Sequence, residues 1–133
     1  RPTDNSPVMR FMRADGSNDH HTLLLQREPG LWGFQHVAYE YKDFDDVMFA
    51  GCHMEEQGWK TNTGPIRHNI SSTCSWYVWN PAGGVSEAYS DMDYVDDNWV
   101  VGNYDPKDPG FYGVSWAVRP GKRRARPAEW IDD

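Results

Sequence analysis

Between residues 33 and 90 the chain changes its hydrophobic period twice, and that run constrains the fold more than any other stretch. Residues 33–41 alternate, placing Phe34, His36 and Ala38 on one face of a strand and Gln35, Val37 and Tyr39 on the other. The period then lengthens. Phe44, Val47, Met48, Gly51 and Met54 recur at helical steps and make one apolar stripe. Asp43 stands at the N-cap position, with Asp45 and Asp46 in the first turn, where the helix dipole favours negative charge. Gly58 closes the helix. A short strand at 59–62, a turn at Gly64-Pro65 and strands at 72–79 and 85–89 follow. The last two are joined by Asn80-Pro81-Ala82-Gly83-Gly84, a run suited to a tight turn. Residues 33–90 therefore predict one β-α-β-β-β unit.

The flanks are less regular. Residues 8–13 and 20–26 read as a hairpin around the turn-forming cluster 14–19. The opening at Arg1, without an initiator Met, enters the turn-rich stretch Pro2 to Pro7 and reads as the middle of a larger protein. Beyond Asp91 the pattern weakens, with Asp91, Asp93, Asp96 and Asp97 close together and Pro106, Pro109 and Pro120 as breaks. Trp99, Phe111, Tyr112, Trp116 and Trp130 predict an extended tail over 94–133 that packs its aromatics on the domain, because disordered tails are poor in such residues.

With 133 residues there is room for a single domain. A net charge of −7 counts against a nucleic-acid partner, which requires a cationic surface. The one basic run, Lys122-Arg123-Arg124-Ala125-Arg126, reads as a solvated tail or subunit contact. No apolar stretch reaches the roughly eighteen residues needed to span a membrane. Two cysteines without a framework pattern, Cys52 and Cys74, predict reduced thiols serving as small core side chains in a cytoplasmic protein, with a single disulfide left open.

The polar residues that stand out are His21, His36, His68, Tyr77 and Glu87. Singly, each histidine or tyrosine has an ordinary structural explanation. Glu87 is harder to dismiss: it shares a strand face with Val85 and Tyr89, and a buried carboxylate is costly unless paired or metal-bound.

In order and spacing the set resembles the extradiol catechol dioxygenases of the vicinal-oxygen-chelate (glyoxalase–bleomycin-resistance) superfamily. The pieces are Asp19-His20-His21-Thr22-Leu23, Gly33-Phe34-Gln35-His36-Val37-Ala38, Gly64-Pro65-Ile66-Arg67-His68, Trp76-Tyr77-Val78-Trp79-Asn80-Pro81-Ala82-Gly83 and Ser86-Glu87-Ala88-Tyr89. The steps are 15 residues from His21 to His36, 32 to His68, 9 to Tyr77 and 10 to Glu87, and the likeness runs over residues 8–93. It implies an α+β fold of paired β-α-β-β-β modules, here one complete and one partial, whose curved mixed sheet encloses a metal cleft. It further implies that His36 and Glu87 are metal ligands of a 2-His-1-carboxylate Fe(II) site, with Mn(II) as the alternative ion. By the same resemblance His21 is the acid–base residue, His68 the loop histidine behind the site, and Tyr77 a hydrogen-bond donor to the substrate's ionised oxygen. His20 is then the non-catalytic member of the pair, and His53 a solvent-facing or packing residue of the helix. The substrates would be an aromatic diol and O2, and the assembly a homo-oligomer.

One departure matters. The family's first histidine ligand belongs to the opening strand of the preceding module, and no histidine precedes His20 here. The expectation is a piece of a longer enzyme, inactive alone; a ligand from another chain and a remnant without iron are the alternatives. Other functions left open are a ligand-binding or a glyoxalase-like member of the same superfamily. Trp32, Trp76 and Trp79 are candidates for shaping the pocket.

Overall fold

The computed structural model describes residues 1–107 and the short strand at 114–115. Three strands open the chain: β1 (Pro2–Asn5), β2 (Met9–Met12) and β3 (Leu23–Gln26), each paired antiparallel with the next. The stretch from Pro2 that reads locally as turns is a strand, because β2 supplies hydrogen-bond partners that local sequence cannot reveal. The β2–β3 hairpin matches expectation, but β3 starts at Leu23 rather than residue 20. His20 donates its backbone N–H to Asp93 O instead, at 2.9 Å.

The predicted central unit is present as β4 (His36–Glu40), α1 (Phe44–Glu56), β5 (Thr61–Arg67), β6 (Cys74–Trp79) and β7 (Val85–Ser90). Asp43 caps α1 by accepting from Asp46 N, and Gly58 follows the helix with φ 84°. β5 runs through Gly64-Pro65, where a turn was expected; the register shifts around that pair, so the irregularity is a bulge within the strand. β6 begins at Cys74, two residues late, because Ser71 and Ser72 adopt positive φ (69° and 57°), which no strand continues.

After β7 the acidic segment ties the two halves together. Asp93 N donates to Ser71 O and Val95 N to Asn18 O, and buried Arg13 holds Asp97 Oδ1 at 2.7 Å. The chain then adds β8 (Gly102–Asn103) beside β1 and β9 (Val114–Ser115) beside β5. The result is a four-stranded sheet, β3-β2-β1-β8, and a five-stranded sheet, β4-β7-β6-β5-β9, in which only β4 and β7 run parallel. Phe111, Tyr112, Trp116, Trp130 and the basic run at 122–126 lie outside the described residues.

Helix α1 covers one face of the second sheet with Val47 and Gly51. Gly51 has to be glycine: a Cβ there would sit 2.1 Å from the Trp76 ring, which fills the groove and donates Nε1–H to Thr61 Oγ1. Cys74 is buried, but Cys52 is exposed, correcting the expectation of two core thiols. One residue past Gly51, it is turned about 100° off the apolar stripe. Both thiols are free. Among the described residues no helix is long and apolar enough to cross a membrane.

Candidate active site

The face of the second sheet turned away from α1 carries the polar groups. Antiparallel pairing sets Tyr77 opposite Glu87, and parallel pairing sets Glu87 beside Ala38, two residues from His36. Because side chains alternate along a strand, His36, Tyr77 and Glu87 emerge on one surface. Gly84, at φ 71°, closes the β6–β7 turn against β4; a Cβ there would meet Gln35 O at 2.4 Å. Val85 N donates to that same carbonyl at 3.0 Å, which fixes the β4 backbone just before His36.

The side chains form a row. Tyr77 Oη donates to Glu87 Oε1 at 2.6 Å. With the phenol's one proton committed there, His68 Nε2, 2.9 Å from Oη, is the donor to it. His36 Nε2 stands 3.2 Å from Glu87 Oε2. Burial pushes the Glu87 carboxyl up, yet its hydrogen bonds, that of His36 first, outweigh burial and hold it below the usual carboxylate range. Burial, followed by the Glu87 charge, pushes Tyr77 far above the ordinary phenol range, so its proton stays.

A cleft of about 690 Å³ opens between the two sheets. Met9, Phe11 and Leu24 supply apolar lining from the first sheet, and His21, just before β3, lines the same cleft as His36, His68, Tyr77 and Glu87. Burial, and next the neighbouring His20, lower the His21 pKa to about 4, so its ring is neutral at pH 7. All five residues singled out in the sequence thus line one cleft. The three tryptophans do not: Trp32 is 98% exposed, Trp76 lies beneath α1, and Trp79 is half exposed at the strand end. His53 is exposed on α1.

The donors suit a divalent cation in part. His36 Nδ1 hydrogen-bonds Gln35 Oε1, and its Nε2 faces a carboxylate oxygen of Glu87. A ring nitrogen and a carboxylate oxygen that close share a proton, and a divalent cation can take the place of that proton. His36 and Glu87 accordingly fit two ligands of a metal, while no group of three His, Cys, Asp or Glu converges among the described residues. Sequence reasoning missed Asp4, a buried carboxylate 2.8 Å from His20 Nε2, because it sits in a strand that reads as a turn.

No family model matches the chain. Metapyrocatechase 2 of Cupriavidus necator is 29% identical over 103 residues, covering 76% of this chain. The chain resembles this enzyme in sequence over three quarters of its own length. The chain spans 32% of that relative's length. Its fold superposes on the 2,2',3-trihydroxybiphenyl 1,2-dioxygenase of Sphingomonas wittichii with a TM-score of 0.70 at 24% identity, over 85% of this chain and 41% of that one. A Mn(II)-bound glyoxalase of Novosphingobium aromaticivorans gives 0.75 at 26% identity, over 96% of this chain and 43% of that one. The α+β architecture is therefore the vicinal-oxygen-chelate dioxygenase fold.

Proposed function

We propose that this chain forms the larger share of the catalytic domain of a ring-cleaving extradiol dioxygenase that inserts both atoms of O2 into a catechol-type diol. The supporting observation is that His21, His36, His68, Tyr77 and Glu87 line one cleft whose remaining wall is largely apolar. His36 and Glu87 would hold Fe(II), or Mn(II), with a further histidine from outside these residues; such an ion supplies open positions where a chelating diol and O2 meet.

The chain's own groups do the rest. Neutral His21 takes a hydroxyl proton from the diol and later returns it to the leaving oxygen, a reversible role suited to an imidazole. Tyr77 fixes the rotation of the Glu87 carboxylate, and His68 fixes Tyr77. Swinging off Glu87, the phenol could instead donate to an ionised substrate oxygen. Met9, Phe11 and Leu24 offer an aromatic ring an apolar wall and keep water from it. A homo-oligomer in the cytoplasm, degrading aromatic compounds, is part of this reading.

The test is to express the chain with whatever coding sequence precedes Arg1, load Fe(II) anaerobically, add a panel of catechols and admit air. A yellow ring-fission product with oxygen uptake is expected; no colour and no uptake with any catechol would overturn the reading. The likeness to the Mn(II)-bound glyoxalase favours a second one, an isomerase acting on a thiol adduct of an aldehyde at the same cleft. Turnover of such an adduct without oxygen uptake would select it.

A further inference from the structure

Asp4, His20 and His21 form a hydrogen-bonded row of which only the last member is used above. Asp4, on β1, is 1% exposed and His20 is fully buried. Asp4 Oδ1 accepts the backbone N–H of Gly102 at 2.7 Å, and Oδ2 lies 2.8 Å from His20 Nε2. His20 Nδ1 in turn lies 2.9 Å from His21 Nδ1. The Phe11 ring stands edge-on to both imidazoles, at 5.7 Å and 5.1 Å between centroids, and Trp99 stands edge-on to His20 at 5.8 Å. The indole is itself tied down, donating Nε1–H to Thr3 O at 2.8 Å.

Two imidazole nitrogens 2.9 Å apart require one donor and one acceptor, and neither ring decides alone which is which. The decision comes from the buried end. An ionised carboxylate only accepts, so His20 Nε2 carries the proton facing Asp4. A His20 that carries this single proton is bare at Nδ1 and accepts from His21 Nδ1–H. That leaves Nε2 as the bare nitrogen of His21 in the cleft. We infer that Asp4 and His20 are positioning residues that fix the tautomer of His21, so that the lone pair of its Nε2 is presented to the substrate.

The inference rests on the proposed role of His21 as base and adds what makes that role available. An unrestrained neutral imidazole divides between two tautomers, and only one can take a proton at Nε2. Here a diol O–H proton passes to Nε2, giving an imidazolium that keeps Nδ1–H donated to His20. The same proton then leaves from Nε2 to the departing oxygen, and no bond in the row has to be remade. A buried carboxylate orienting a catalytic imidazole is a recurring device; here an intervening histidine extends it by one ring.

The experiment is 15N NMR of the full chain with labelled histidine, without metal or substrate. The expected His21 pattern is a protonated Nδ1 and an unprotonated, downfield Nε2. In Asp4→Asn the amide oxygen still serves Gly102 N–H, so the NH2 faces His20 Nε2 and demands an acceptor there. Both rings should reverse, moving the His21 proton to Nε2. A wild-type spectrum with the proton on Nε2, or an Asp4→Asn protein that folds and keeps the original pattern, would overturn the inference. Should Asp4→Asn fail to fold, the wild-type spectrum still decides. In the ring-cleavage assay the variant should lose roughly 100-fold in kcat, the scale of a general base, with KM little changed. Because the spectrum needs no turnover, a failure of the tautomer and a failure of the dioxygenase reading are told apart.

Discussion

His36 Nε2 and Glu87 Oε2 stand 3.2 Å apart on adjacent parallel strands, while Gln35 and Tyr77 hold the opposite edge of each group. Each partner is oriented from behind, as residues that share an ion are. Neither the strand pairing nor the helix beneath it depends on that contact, so it can be altered without dismantling the sheet.

Glu87→Gln removes the negative charge but keeps the shape. In protein expressed with its upstream coding sequence, Mn(II) affinity measured by electron paramagnetic resonance should fall by more than about 100-fold, beyond the 10–100-fold usual for losing a merely supporting group. Unchanged Mn(II) binding would exclude position 87 as a ligand.

His21 supplies a pH dependence of stability. Burial, helped by His20, lowers its pKa to about 4, whereas the unfolded chain holds it near 6.5. Between those values the unfolded state binds a proton that the native state refuses, so stability rises with pH. The contribution is complete above about pH 6.5 and is lost as pH falls toward 4. It amounts to something on the order of 3 kcal/mol. Urea midpoints between pH 7 and pH 4.5 should drop less steeply in His21→Gln than in wild type. Parallel curves would mean that His21 titrates normally.

Gly51→Ala sets two effects against each other. Alanine favours the helix by about 1 kcal/mol, but its Cβ would enter the Trp76 ring at 2.1 Å. Overpacking of this kind costs about 1–3 kcal/mol, so net destabilisation is expected, with a shift in tryptophan emission as the ring is displaced. A raised urea midpoint would show that the ring moves aside freely.

Much of this arrangement was legible beforehand. The period change at residues 41–44 located α1, and alternation in 85–89 put Glu87 on the buried side of its strand. The misreadings share a cause. Residues 2–5 look like a turn in isolation and become β1 because β2 and β8 pair with them. Gly64-Pro65 looks like a turn and becomes a bulge because β6 keeps pairing on both sides of it. Cys52 was read as a core thiol from the lack of a disulfide pattern, although it sits one position off the apolar stripe of the helix.

From the sequence came the order of the elements over 33–90 and, through the resemblance to the extradiol dioxygenases, the five residues that line the cleft; alternation further put Glu87 on the buried side of its strand. Tertiary structure alone decided that Asp4 lies behind His20 and that Tyr77 serves Glu87. Those contacts join residues 16 and 10 positions apart, across strand pairing and chain packing. A hydrogen bond is directional and a few ångströms long, so its existence depends on three-dimensional placement that no local pattern encodes.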